Sequence, residues 1–96
     1  MALMGLDVGT SGVKCTIAND HGGVISEAYR AYLTLMPKPG YFELNANQLW
    51  DATKATMKEA LAQTSEKVFA VAASSFGEAF TTVDANQNVL TNFMTM

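Results

Sequence analysis

The segment Leu6-Asp7-Val8-Gly9-Thr10-Ser11-Gly12-Val13-Lys14 constrains this chain more than any other. The apolar run from Ala2 to Leu6 predicts a strand that delivers one carboxylate, Asp7, at its end. Two glycines around two small hydroxylated residues predict a tight turn, and Val13 to Ala18 predicts a second strand that begins with a cation, Lys14. The same residues carry chemistry. N–H groups of a Gly-rich turn can point at phosphate oxygens, because no side chains stand in the way. Thr10 and Ser11 add hydroxyl donors. Asp7 suits Mg²⁺, which takes a few carboxylates and keeps several waters. Lys14 offers a mobile point charge to terminal phosphates.

A Walker A loop needs a longer spacer before Gly-Lys, then Ser or Thr opening a helix. Here the turn joins two strands. It resembles the first phosphate loop of the superfamily that unites sugar kinases with actin-like ATPases. From spacing alone, an ordinary hairpin with Gly at its corners and an incidental Lys is the plain alternative.

Composition narrows the classes. A chain of 96 residues makes at most one small domain, and 49% apolar content is ordinary for a folded protein. Its six basic residues are scattered singly in a chain of net charge −3, so no nucleic-acid partner is expected. No apolar run approaches the roughly 20 residues that span a bilayer, so no membrane partner is expected either. Cys15 has no second cysteine to pair with and sits among β-branched residues, which predicts a buried, inert thiol. His21 is the single histidine, so no zinc cluster is expected. With no leader-like N-terminus, these features predict a reduced, cytoplasmic setting.

Along the chain, Ala2–Asp7 reads as a central strand. Val13–Ala18 alternates, with Val13, Cys15 and Ile17 on one face. Asn19-Asp20-His21-Gly22-Gly23 is a turn, and Val24–Leu35 reads as one long third strand. Pro37-Lys38-Pro39-Gly40 predicts a break and a loop carrying Tyr41 and Phe42. Asn45 is a candidate N-cap with Gln48 at capping-box spacing. Leu49, Trp50, Thr53, Met57, Ala60 and Leu61 then form a helical stripe, with Trp50 as a core anchor and Thr64-Ser65 at the end. Lys67–Ser74 is an apolar fourth strand, and Phe80–Asp84 with Asn88–Phe93 reads as a hairpin. A strand after a crossover helix runs parallel to an earlier neighbour. The fold class is therefore α/β. It is a ribonuclease H-like mixed sheet of three antiparallel strands, with the fourth strand parallel beside the first. The apparent strand at the end leads into nothing, so the chain is expected to be one end of a longer protein.

Three separated segments together resemble the amino-terminal part of the FGGY carbohydrate kinases, which include xylulose, glycerol and gluconate kinases. They are Asp7 to Lys14, Pro39-Gly40-Tyr41-Phe42-Glu43 through Trp50-Asp51, and Val71-Ala72-Ala73-Ser74-Ser75-Phe76-Gly77-Glu78 followed by Val83-Asp84. The resemblance runs the whole length and implies that residues 1–96 are the N-terminal part of the first, actin-like domain. It implies ATP as cosubstrate with Mg²⁺ at Asp7, phosphates cradled by Gly9, Thr10, Ser11 and Gly12, and Lys14 facing the transferred group. It places Phe76, Gly77 and Glu78 at the sugar or polyol, where a carboxylate suits vicinal hydroxyls. Gly77 stands where glycerol kinases carry Arg, and Glu78 where xylulose kinases carry His. Glu43 reads as a surface loop acid.

The catalytic base of that family is an Asp in the second half of the protein, so no catalytic base is expected in this chain, and the chain alone is expected to be inactive. Its uncovered sheet edge is expected to drive self-association. Two other readings stand beside the kinase: an actin-superfamily ATPase that drives a partner interaction, and a small non-catalytic α/β interaction module.

Overall fold

The computed structural model describes residues 1–77 and 79–95. Strand β1 (Ala2–Val8) forms the pivot of a four-stranded sheet. It pairs antiparallel with β2 (Gly12–Asn19), which pairs antiparallel with β3 (Val24–Ala31). Two further strands, β4 (Leu35–Lys38) and β5 (Tyr41–Leu44), precede helix α1 (Ala46–Ala62). After the helix, β6 (Val68–Ser75) returns parallel to β1, giving the order β3-β2-β1-β6. The mixed sheet predicted from sequence is the sheet that forms.

Local chemistry explains the joints. Asn19 Oδ1 accepts from the N–H groups of His21 (3.0 Å) and Gly23 (2.9 Å), closing the β2–β3 turn. Asn45 caps α1, its Oδ1 accepting from the Gln48 N–H at 2.9 Å. One core lies between sheet and helix, where Ala2, Met4, Cys15, Ile17 and Ala28 meet Ala60. The Ser26 hydroxyl ties the layers by donating to the Ala60 carbonyl at 2.9 Å. A second cluster joins Val13, Tyr32 and Leu44 at the end of the sheet where the first turn lies.

Four expectations need correction. The third strand stops at Ala31, because β2 offers no partner beyond Gly12, which pairs with Ala31. Pro37-Lys38-Pro39-Gly40 does not open a loop. It makes the β4–β5 hairpin, with Lys38 opposite Tyr41 and Gly40 at φ 82°. Pro39 presets the first corner and glycine takes the left-handed second corner. Trp50 is not a core anchor: it is 57% exposed, with the Lys54 ammonium 5.5 Å from its ring centre. The buried stripe of α1 is Ala46, Thr53, Thr56 and Ala60, and Leu61 is exposed. Thr53 and Thr56 can enter the core because their hydroxyls donate to the carbonyls of Leu49 (2.9 Å) and Ala52 (2.7 Å). Last, the predicted hairpin around Ala85-Asn86-Gln87 forms, with Val83 bridged to Val89, Asp84 N–H donating to Asn88 O at 3.0 Å and Leu90 N–H to Thr82 O at 2.8 Å, but the end of its second arm leaves it. Phe93–Thr95 forms β7, which adds to β5 in a second sheet of order β4-β5-β7.

Cys15 is fully buried, as expected, and burial raises its thiol above the ordinary value. In the folded protein it is expected to stay unmodified by a thiol reagent, and to react fully once denatured. Rapid labelling without denaturant would contradict this core packing. No helix among the described residues is long and apolar enough to cross a membrane.

Candidate functional site

Alternation along the strands gives the sheet one face against α1 and one open face. On β1, Met4 and Leu6 belong to the helix-side core and Asp7 to the open face. The register then places Lys14 of β2 and Ser74 of β6 opposite Asp7, one on each side. Thr16 and Ala72 flank Gly5 in the same way. Together these residues line a shallow groove of about 360 Å³ on the open face. Gly5, Ala72 and Ala73 keep its floor low, and Asp7, Lys14, Thr16 and Ser74 supply its polar groups.

Asp7 is exposed and makes no ion pair among the described residues. The Lys14 ammonium instead lies 3.5 Å from Glu27 Oε1, which also takes the Thr16 hydroxyl at 3.5 Å. Both partners of this pair are about half exposed, so it holds Lys14 only weakly. Lys14 can therefore leave Glu27 for a stronger anion at small cost.

The turn from Gly9 to Gly12 closes at the carboxyl end of β1. Gly9 N–H donates to the Gly12 carbonyl at 2.9 Å. Among the described residues, no protein acceptor takes the N–H groups of Thr10 or Ser11, and both residues are exposed. The carbonyls of the turn are held from β3's end: Tyr32 N–H donates to Ser11 O at 3.1 Å, and the Tyr32 hydroxyl reaches Gly12 O at 3.2 Å and also contacts Gly9 O. Burial, with smaller contributions from Tyr29 and Asp7, raises the Tyr32 phenol above its ordinary value, so it stays protonated as a donor. Gly12 is buried, and a Cβ there would lie 2.5 Å from both the Arg30 carbonyl and the Tyr29 hydroxyl. Only glycine fits.

Phe76 follows β6, and its N–H donates to Val8 O at 3.2 Å, tying this segment to β1 beside the turn. Its ring is half-buried and meets Phe93 edge-to-face at 6.0 Å. Gly77 is exposed, and a Cβ there would meet nothing within 4 Å. Glu78 lies outside the described residues. The structure thus gathers Asp7, Gly9, Thr10, Ser11, Gly12 and Lys14 at one end of the sheet, with Phe76 below and Gly77 open to solvent. Sequence reasoning missed Tyr32, Ser74 and Glu27. For Glu27 the signal was available, since alternation in a three-strand meander puts it on the Lys14 face.

No group of three or more metal-ligating side chains occurs among the described residues. A lone exposed carboxylate beside a turn with unclaimed N–H groups fits Mg²⁺ held mainly by phosphate and water, not by a protein cage.

Residues 2–96 match the model of the FGGY family of carbohydrate kinases, N-terminal domain. The chain belongs to this family. Among FGGY relatives, the glycerol kinase of Bdellovibrio bacteriovorus is 36% identical over 59 residues, covering 62% of this chain and 12% of that protein. The chain therefore spans about an eighth of the length of such curated relatives. The crystal structure of gluconate kinase from Lactobacillus acidophilus superposes with a TM-score of 0.92 at 22% identity, over 98% of this chain and 19% of that one. The xylulose kinase of Rhodospirillum rubrum superposes equally well, with a TM-score of 0.92 at 23% identity, over 98% and 20%. These superpositions show that this FGGY segment shares the fold of the matched parts of those two kinases.

Proposed function

We propose that this chain is the N-terminal part of an ATP-dependent carbohydrate kinase. The intact protein transfers the γ-phosphate of Mg-ATP to a hydroxyl of a pentulose, polyol or aldonate. One observation carries the reading: Asp7, next to the last residue of β1 on the open face, is flanked by Lys14 and Ser74, beside a turn whose Thr10 and Ser11 N–H groups meet no protein acceptor among the described residues.

Phosphoryl transfer is chiefly positioning and charge neutralisation. In this reading the turn Gly9, Thr10, Ser11 and Gly12 holds the phosphates, with the N–H and hydroxyl groups of Thr10 and Ser11 as the donors. Asp7 would hold Mg²⁺, directly or through its water shell, and the ion would supply charge neutralisation on the phosphates. Lys14 exchanges Glu27 for the charge that develops on the transferred group. The acceptor sits along Phe76, Gly77 and Glu78, where the absence of a side chain at Gly77 leaves room. The proton of the attacking hydroxyl goes to a base outside this chain.

The test is ADP release by the full-length protein with Mg-ATP over pentuloses, polyols, aldonates and methylpentoses. Release with one of these classes supports the reading. Hydrolysis stimulated by a polypeptide, with silence across the panel, would replace the kinase with a partner-driven ATPase. The 96-residue chain alone is expected to release no ADP. It is also expected to scatter light as a concentration-dependent oligomer, because the β6 edge exposes Phe69 (61%) and Val71 (52%). A clean monomer at high concentration would contradict that part.

A further inference from the structure

We propose that Tyr32 is the positioning residue of the Gly9–Gly12 turn, holding its carbonyls inward so that the N–H groups of Thr10 and Ser11 face outward. The inference rests on the kinase reading for its consequence, but not for its geometry.

A Gly-rich turn is free to flip its peptides, and each flip would exchange an outward N–H for an outward carbonyl. An outward carbonyl repels a phosphate. The sequence of the turn does not choose between these states. The choice comes from β3's end, 20 residues later in sequence than Gly12. Tyr32 brings two donors to the turn: its N–H donates to Ser11 O, and its hydroxyl, with one proton, lies within reach of both Gly9 O and Gly12 O. Gly12 O also accepts Gly9 N–H, which closes the turn on itself.

The clamp is itself fixed. The Tyr32 ring is buried in the cluster with Val13 and Leu44, to which Leu49 of α1, Phe76 and Phe93 of β7 also pack. Its hydroxyl therefore cannot swing to water, and losing it leaves inward carbonyls with one donor fewer in a largely dry site. The same cluster contains Phe76, the first residue of the proposed acceptor segment, so the turn and that segment share one support. Tyr29 behaves differently. It is exposed on the open face with its hydroxyl over Gly12, and it makes no hydrogen bond to the turn among the described residues.

The experiment uses full-length protein carrying Tyr32→Phe, with Tyr29→Phe as the matched control. Amide hydrogen exchange reads the turn directly. Tyr32→Phe is expected to speed exchange at Gly9 and Tyr32 N–H, the two amides bonded within the clamp, and Tyr29→Phe is expected to leave them unchanged. Calorimetry with Mg-ATP is expected to show a dissociation constant raised about five- to tenfold in Tyr32→Phe, the size of one neutral hydrogen bond. The KM of the acceptor stays as in the wild type. Wild-type exchange in Tyr32→Phe would overturn the proposal. So would an unfolded variant, since the hydroxyl would then be holding the sheet and not the turn. An equal rise in acceptor KM would overturn it as well. If the wild type binds no Mg-ATP, the kinase reading fails, and the exchange data still decide the role of Tyr32.

Discussion

Asp7→Ala in the full-length protein is expected to lower kcat for sugar-dependent ADP release by about 10²–10³-fold, the loss seen when one preorganised electrostatic group is removed from a transfer site. Stability should stay within about 0.5 kcal/mol of wild type, because an exposed carboxylate without an ion pair supports no packing. Asp7→Asn should be nearly as impaired, since it keeps the size and removes the charge that the kinase reading assigns to Mg²⁺. The split between constants is informative. A loss confined to the KM of Mg-ATP, with kcat unchanged, would make Asp7 a ground-state binding group only. Full activity in Asp7→Ala would remove the carboxylate from the chemistry, and with it the observation on which the kinase reading stands.

The contrast between what sequence alone predicts and what forms has a physical basis. Asp7 and the Gly9–Gly12 turn are local features. Strand, carboxylate, small residues and strand follow one another within a few positions, and steric and hydrogen-bonding preferences at that range decide the outcome. The meander and the parallel return of β6 also follow, because a crossover helix of 17 residues leaves one sensible way back onto the sheet. What escapes is set at long range. Trp50 has the right helical phase to be buried, but α1 turns its threonines inward because their hydroxyls find carbonyls one turn back. Phe93–Thr95 has no local hairpin partner and pairs with β5, roughly 50 residues earlier, a choice that depends on the β4–β5 hairpin existing first.

Tyr32 is the instructive miss. In the sequence it is one aromatic among several in an apparent strand. Its role appears only when that strand is seen to run out of partners at Ala31, so that the next residue is free to turn its N–H and hydroxyl to the neighbouring turn. The residues proposed to present groups to a ligand are legible in the sequence, and the residue proposed to orient them is not. Presentation depends on residue type, whereas orientation depends on where a strand ends.

Gly12→Ala is expected to be the most damaging single methyl group in the chain. The new Cβ would stand 2.5 Å from the Arg30 carbonyl, a backbone atom fixed in the β2–β3 ladder, and as close to the Tyr29 hydroxyl. Tyr29 can swing away, but the carbonyl cannot move without opening the pairing of Gly12 with Ala31. Overpacking of this kind costs about 1–3 kcal/mol, which should lower the apparent Tm of the full-length protein by a few degrees. Two glycines in the same site grade the effect. At Gly9 the nearest atom to a Cβ is Gly12 O at 3.3 Å, which needs to yield only slightly, and at Gly77 nothing lies within 4 Å. The expected order of destabilisation is therefore Gly12→Ala well above Gly9→Ala, with Gly77→Ala indistinguishable from wild type. Thermal unfolding of the three variants side by side checks it. Equal Tm values for Gly12→Ala and Gly77→Ala would mean that β3 does not press on the turn. The turn would then be free to relax away from Tyr32 as well, so this result would weaken the clamp and the packing together.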